Sequence, residues 1–232
     1  MEHEQPVVAD VPRPPPRSEP APEPRPVPED GRRSRWTEHR RARREELVGA
    51  AVEAVRRTGP DFAVDDVARS AGVSKTVIYR YFADKDELVD AVLERISRTV
   101  LLPRLLGEIE AEHDDDRAGL RAVLAAFVSL IEDEPELYRF AHARMGRSER
   151  ADLVTATEHR IADALAALFA RRLDAAGRPS AAATTWAYAV VGMVQVTAHW
   201  WSTSRRLPAA ELVDQLVALA YGGLGTVLPP HA

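Results

Sequence analysis

Cysteine is absent from the 232 residues, and that gap excludes disulfides, thiolate nucleophiles, cysteine-ligated zinc and iron–sulfur clusters. A reducing compartment fits such a chain. Apolar runs are short, and none approaches the roughly 18 residues that a membrane span needs. The opening MEHEQPVVADVPRP is acidic and proline-rich where a secretory signal would be basic and then apolar. Period-two alternation, the mark of a half-buried strand, is missing as well. The expectation is a soluble, cytoplasmic, all-α protein.

Catalytic signatures are equally scarce. The seven histidines fall at 3, 39, 113, 142, 159, 199 and 231, with no HExxH and no pair at i, i+4. No G-x-S-x-G, P-loop or G-x-G-x-x-G occurs. The acidic runs Asp114–Asp116 and Glu132–Glu134 fall in predicted loops or helix ends and read as solvated turns. No enzyme, cofactor or metal site is expected.

The net charge of −5 would ordinarily argue against nucleic acid, because phosphates demand cations. The average hides an asymmetry. Residues 1–30 hold ten of the 17 prolines and a net of −4, the composition of an unstructured tail. Residues 31–85 carry 13 basic and eight acidic side chains, a net of +5, and residues 86–232 carry a net of −6. A basic module on an acidic body is the charge layout of a DNA reader attached to a second domain.

Helical periodicity and breakers divide the rest. A first helix is expected from an N-cap at Thr37 to Thr58, where Gly59-Pro60 stops it. Short helices follow near 64–70 and 74–82, then a long one from Asp84 that Pro103 ends or kinks. The body reads as helices near 117–132, 135–145, 149–174, 180–204 and 208–227.

The informative stretch is FAVDDVARSAGVSKTVIYRYFADKDEL, residues 62–88. Val64, Val67 and Ala68 share an inward face, Gly72 allows a tight turn, and Val73 plugs the space beneath it. Ser74 is placed to cap the next helix, with Ile78 and Phe82 on its buried side. Lys75, Thr76, Tyr79 and Arg80 are left on the outer face, donors suited to a major groove. Asp84 and Glu87 suggest a capping box, with Lys85 in the first turn beside free N–H groups, where a phosphate is favoured. Lys75 and Lys85 are the only two lysines in the chain. The arginine cluster at 32–44, Arg43 included, is a candidate minor-groove arm or else a solvated tail.

On the AGVSK run, the IY–two residues–F spacing and the K–two residues–L that follows, the segment from about Arg43 to Leu88 resembles the DNA-binding domain of TetR-family transcriptional regulators. The resemblance implies that Tyr79 and Lys85 hold backbone phosphates while Lys75, Thr76 and Arg80 lie at or near base edges. Two positions depart from the family pattern: Ala63 stands where Thr or Ser commonly opens the second helix, and Val77 where Thr often precedes the Tyr. Base preference therefore does not carry over.

A three-helix reader covers few bases alone, so a homodimer on a palindromic operator is expected, with half-sites about one helical turn apart. The last two helices are the candidate interface, through Leu212, Leu216, Leu224 and their apolar neighbours, with Trp201 joining them. The resemblance implies a four-helix bundle across the dimer. Phe127, Tyr138, Phe140, Trp186 and Met193 are candidate linings of an effector cavity, with Gln195 and His199 as polar anchors. WAYAVVGMVQVTAHWW and the terminal YGGL also resemble actinobacterial regulators of lipid genes that sense long acyl chains. The expected function is a ligand-responsive repressor of double-stranded DNA with a small hydrophobic effector, and the competing class is a helical scaffold or interaction protein.

Overall fold

The computed structural model describes residues 31–143 and 151–223, so the proline-rich tail and Leu224 lie outside the described residues. Among the described residues every regular element is a helix. They run α1 (Gly31–Thr58), a short 3₁₀ turn (Gly59–Asp61), α2 (Val64–Ala71), α3 (Lys75–Ile78), α4 (Lys85–Ile96), a π turn (Ser97–Leu101) and α5 (Leu102–Glu110). The body adds α6 (Asp116–Asp133), α7 (Pro135–His142), α8 (Ala151–Ala175), α9 (Ala183–Ser204) and α10 (Ala209–Gly222). Arg40–Ala232 is one compact unit, separate from Met1–His39, of which only the first turns of α1 are described. None of the described helices is long and apolar enough to cross a membrane.

Three details differ from the sequence expectation. The first helix already begins at Gly31, and Thr37 lies inside it rather than at its cap; the arginines between are good helix formers and need no stop signal. The element expected at 74–82 is regular only over Lys75–Ile78, although Tyr79, Arg80, Tyr81 and Phe82 continue to donate backbone bonds three or four residues back. Pro103 does not end the long helix. The Leu102 N–H bonds to Ser97 O, five residues back, and this wider turn takes in a proline whose ring would clash with the carbonyl four residues earlier.

Three buried clusters hold the molecule together. The first joins α1 (Leu47, Ala51, Val55), α2 (Val64, Val67), Ile78, Phe82 and α4 (Leu88, Val92, Ile96), and takes in Leu137 and Phe140 from α7. The reading module is thus packed on a helix of the body. The second cluster sets Leu124, Val128 and Ile131 of α6 against Val194, Ala198 and Trp201 of α9 and Leu212, Val213, Leu216 and Val217 of α10. The third gathers α5 (Leu102, Leu105, Ile109), Val123, Ile161, Leu165 and Ala187. A two-pronged ion pair reinforces the first: the Arg56 guanidinium donates to both carboxylate oxygens of Glu134 at 2.9 and 2.7 Å.

Candidate nucleic-acid interface and effector cavity

The turn between α2 and α3 is built as the sequence demands. Gly72 has φ 64°, a left-handed conformation, and its N–H reaches back to Ala68 O and Arg69 O, while Val73 N–H bonds to Ala68 O at 3.0 Å. This closes α2 with a Schellman-type stop. Ala63 has no side-chain acceptor to cap α2, and half of the cap survives: its N–H donates to Asp66 Oδ2 at 2.8 Å. That bond holds the Asp66 carboxyl below the usual carboxylate range.

Ser74, Lys75, Thr76, Tyr79 and Arg80 are all exposed, while Ile78 between them is buried. One surface therefore presents two cations, two hydroxyls and a phenol. Ser74 stands at the N-cap of α3 with its side chain making no capping bond, which leaves its hydroxyl available. Lys75 Nζ pairs with Asp65 at 2.6 Å, and this hydrogen bond raises its pKa. The Asp84 carboxylate caps α4 by accepting from Glu87 N–H at 2.8 Å, whereas Glu87 accepts from Ala83 N–H at 2.7 Å, one residue before the box position. Lys85 opens α4 with its ammonium 5.1 Å from the Phe62 ring centroid. Arg43 is half-buried and bonded to Glu46 at 2.5 Å.

Two further arginines of the 32–44 cluster belong to this surface, though the sequence did not single them out within it. Arg40 Nη2 donates to Arg80 O at 3.4 Å. The Arg44 guanidinium lies 4.6 Å from the Phe82 ring centroid and bonds to Glu87 at 3.0 Å, tying α1 to the start of α4. Their signal was the charge cluster itself, which does not say which members fold back on the reader.

Below the reading module lies a cavity of about 140 Å³, some ten times the roughly 10–15 Å³ that one water requires. Its walls come from α4 and the π turn (Ile96, Ser97, Val100), α6 (Phe127), α7 (Tyr138, His142), α8 (Thr157, Glu158, Ile161) and α9 (Val194, Gln195). Of the expected lining, Phe127, Tyr138 and Gln195 are there, and Phe127 meets Tyr138 edge-on at 6.3 Å between centroids. Burial pushes the Tyr138 phenol up to about 12, so it faces the cavity as a neutral donor.

The other expected linings lie elsewhere. Phe140 is fully buried on the opposite face of α7, its ring 5.8 Å from Phe62. Met193 packs on the α6–α9–α10 cluster. Trp186 is 47% exposed on the outer face of α9. His199 sits behind the wall, stacked on His142 at 3.4 Å. The expected interface residues are corrected too. Trp201, Leu212 and Leu216 are buried inside the protomer, because the stripe of α10 faces α6 and the Trp201 indole N–H donates to Leu207 O at 2.8 Å. The large apolar side chains that α9 leaves exposed include Trp186, Tyr188, Val196 and Trp200, with Ala189 beside them.

The His142 pair has a consequence for pH. Burial, and secondly the neighbouring His199, hold the His142 imidazole below its ordinary 6.5. The folded state then binds fewer protons there than the unfolded chain, so stability falls as pH drops below about 6.5 and is kept above it. His142→Phe should flatten the decline in Tm between roughly pH 7 and pH 5. Parallel declines in both proteins would show that the loss comes from other groups.

Comparison with known proteins now bears on both halves. Residues 47–92 match the model described as "Bacterial regulatory proteins, tetR family", and residues 105–229 match "Tetracyclin repressor-like, C-terminal domain". The chain belongs to the TetR family. An uncharacterised HTH-type transcriptional regulator of Mycobacterium tuberculosis is 37% identical over 195 residues, covering 84% of this chain and 82% of its own. The HTH-type transcriptional activator FasR of Mycolicibacterium smegmatis is 31% identical over 190 residues, with 80% and 84% covered. In fold, this TetR-family chain is similar to the FadR regulator of Bacillus subtilis solved with stearoyl-CoA, at a TM-score of 0.64 and 17% identity over 78% of this chain and 98% of that one. A tetR-family regulator from Streptomyces coelicolor gives a TM-score of 0.62 at 24% identity, with 79% and 83% covered. The protein is a DNA-binding transcriptional regulator and not an enzyme.

Proposed function

We propose that this regulator is a homodimeric, ligand-responsive repressor that reads a palindromic operator and is released by a hydrophobic, acyl-chain effector bound in the cavity. The observation that carries the proposal is continuity. The cavity wall is made by the same helix that opens at Lys85 beside the reader, and by α7, whose other face lies in the reader's own core. An occupant that displaces either helix changes the spacing of two reading surfaces. Supporting the acyl chain are the apolar walls and the stearoyl-CoA held by the Bacillus subtilis neighbour. The reader acts where the chromosome is, in the cytoplasm.

In this reading Lys75, Thr76 and Arg80 approach base edges, and Ser74, Tyr79, Lys85 and Arg43 hold phosphates. Lys75 must exchange Asp65 for DNA, which makes its contribution depend on salt. Lys85→Ala should weaken specific and random duplexes alike and reduce the slope of log K against log salt by about 1. Arg80→Ala should cost roughly 1–3 kcal/mol and relax one operator position. If Arg80→Ala affects operator and random DNA equally, Arg80 is a phosphate contact.

The deciding experiment selects an operator from random duplexes and titrates palmitoyl-CoA and acetyl-CoA against the complex. Palmitoyl-CoA should lower operator affinity about a hundredfold, which corresponds to about 2.7 kcal/mol of differential binding, and acetyl-CoA should not. A ligand that binds without altering operator affinity defeats the coupling, and a chain with no salt-sensitive DNA binding is the scaffold instead. Transcription in vitro gives the sign, a point sharpened by the name of FasR as an activator.

A further inference from the structure

The cavity wall is apolar except in two places. At one, Tyr138, His142 and Gln195 supply groups that donate as well as accept. At the other, Ser97 of the π turn meets Thr157 of α8, with Glu158 next along that helix. The hydrogens of this second patch are already committed. Thr157 Oγ1 donates to Leu153 O at 2.9 Å, so the 2.8 Å contact between the hydroxyls is donated by Ser97. The Glu158 Oε1 is shut off from solvent with no hydrogen-bond partner.

What the patch offers is therefore lone pairs on Ser97 Oγ and on the Glu158 carboxylate. A buried carboxylate oxygen left unpaired is strongly unfavourable, since water has been removed and nothing has replaced it. Carboxylates elsewhere in the protein are met by donors: Glu134 receives Arg56, Glu87 receives Arg44 and Asp214 receives Arg121. Among the described residues that line the cavity Glu158 is the one carboxylate, and none of them donates to its Oε1.

We infer that Ser97 and Glu158 form a donor-selective subsite, so that the effector is an apolar molecule bearing a hydroxyl or ammonium group that Glu158 accepts. This rests on the cavity being the effector site, and it narrows that reading: an acyl chain that fits carries a donor, and a bare carboxylate end is repelled from this patch. An acidic or thioester end belongs at the Tyr138–Gln195 side, where donors are present.

The test titrates the full chain calorimetrically with dodecan-1-ol, dodecylamine and dodecanoate near neutral pH, with palmitoyl-CoA as a fourth probe. The alcohol and the amine should bind at least about tenfold more tightly than dodecanoate. Glu158→Gln keeps an acceptor and removes the charge, so the amine should lose about tenfold while the alcohol changes little. Glu158→Leu should abolish both preferences and strengthen dodecanoate. Ser97→Ala, which removes only a hydroxyl, should weaken the alcohol and the amine several-fold and serves if the position 158 variants do not fold. Equal binding of the three dodecyl probes, or preferences that survive Glu158→Leu, overturns the inference. If palmitoyl-CoA binds while the alcohol and the amine show no dependence on residue 158, the donor subsite alone is wrong; if no probe binds, the effector reading falls with it.

Discussion

Phe140→Ala is expected to destabilise the protein by about 3–5 kcal/mol, and the damage should appear first in DNA binding. The side chain is fully buried, lies 5.8 Å from the Phe62 ring and belongs to the cluster that joins α1, α2, α4 and α7. Removing it leaves a cavity between the body and the reader. Phe62 sits just ahead of Ala63, the N-cap of α2, so a loosened Phe62 frees the start of the helix that orients Gly72 and the reading residues. For a chain of this size the loss should lower Tm by roughly 6–20 °C. Phe140→Leu, which refills most of the volume, should cost much less. A loss below about 1 kcal/mol for Phe140→Ala would show that the α7 contact is dispensable and that the module stands without it.

The same residue shows where sequence reading runs out. The sequence offers Phe140 as a cavity lining because small-molecule pockets are built mostly of apolar and aromatic side chains. On a helix two residues apart point to different faces, and α7 uses both: Tyr138 and His142 toward the cavity, Phe140 toward Phe62. The reader was legible because its constraints are local. Gly72 must turn, Ile78 and Phe82 must be buried, and the leftover faces of Lys75, Thr76, Tyr79 and Arg80 follow from spacing. The body was legible only as helices. An amphipathic stripe states that a face is buried and not against what, and so Leu212 and Leu216 suited a dimer partner as well as they suit α6. Pro103 signalled a break, yet a π turn absorbed it and placed Ser97 in the cavity wall. Glu158 carried no periodic signal, since its meaning comes from its unpaired oxygen.

Because the stripe of α10 is buried in the protomer core, the dimer contact is expected on the outer face of α9, and the second large effect lies there. Val196 is 74% exposed and Trp200 43%, with Trp186 and Ala189 further up the same face; contiguous apolar exposure of this kind marks an interaction surface. A half-site alone offers few base contacts, so a reader that cannot pair loses both the second set of contacts and the spacing that aligns them. Val196→Glu should therefore yield a folded monomer, because an exposed position tolerates a charge within the protomer, and operator affinity should fall at least about a hundredfold, or 2.7 kcal/mol. Sedimentation gives the mass, and titration of a labelled operator gives the affinity. Leu216→Glu should behave differently, since it buries a carboxylate without a partner between α6 and α10 and should unfold the body rather than split the dimer. A Val196→Glu protein that remains dimeric and binds its operator normally would place the interface elsewhere and leave the apolar face of α9 to another partner.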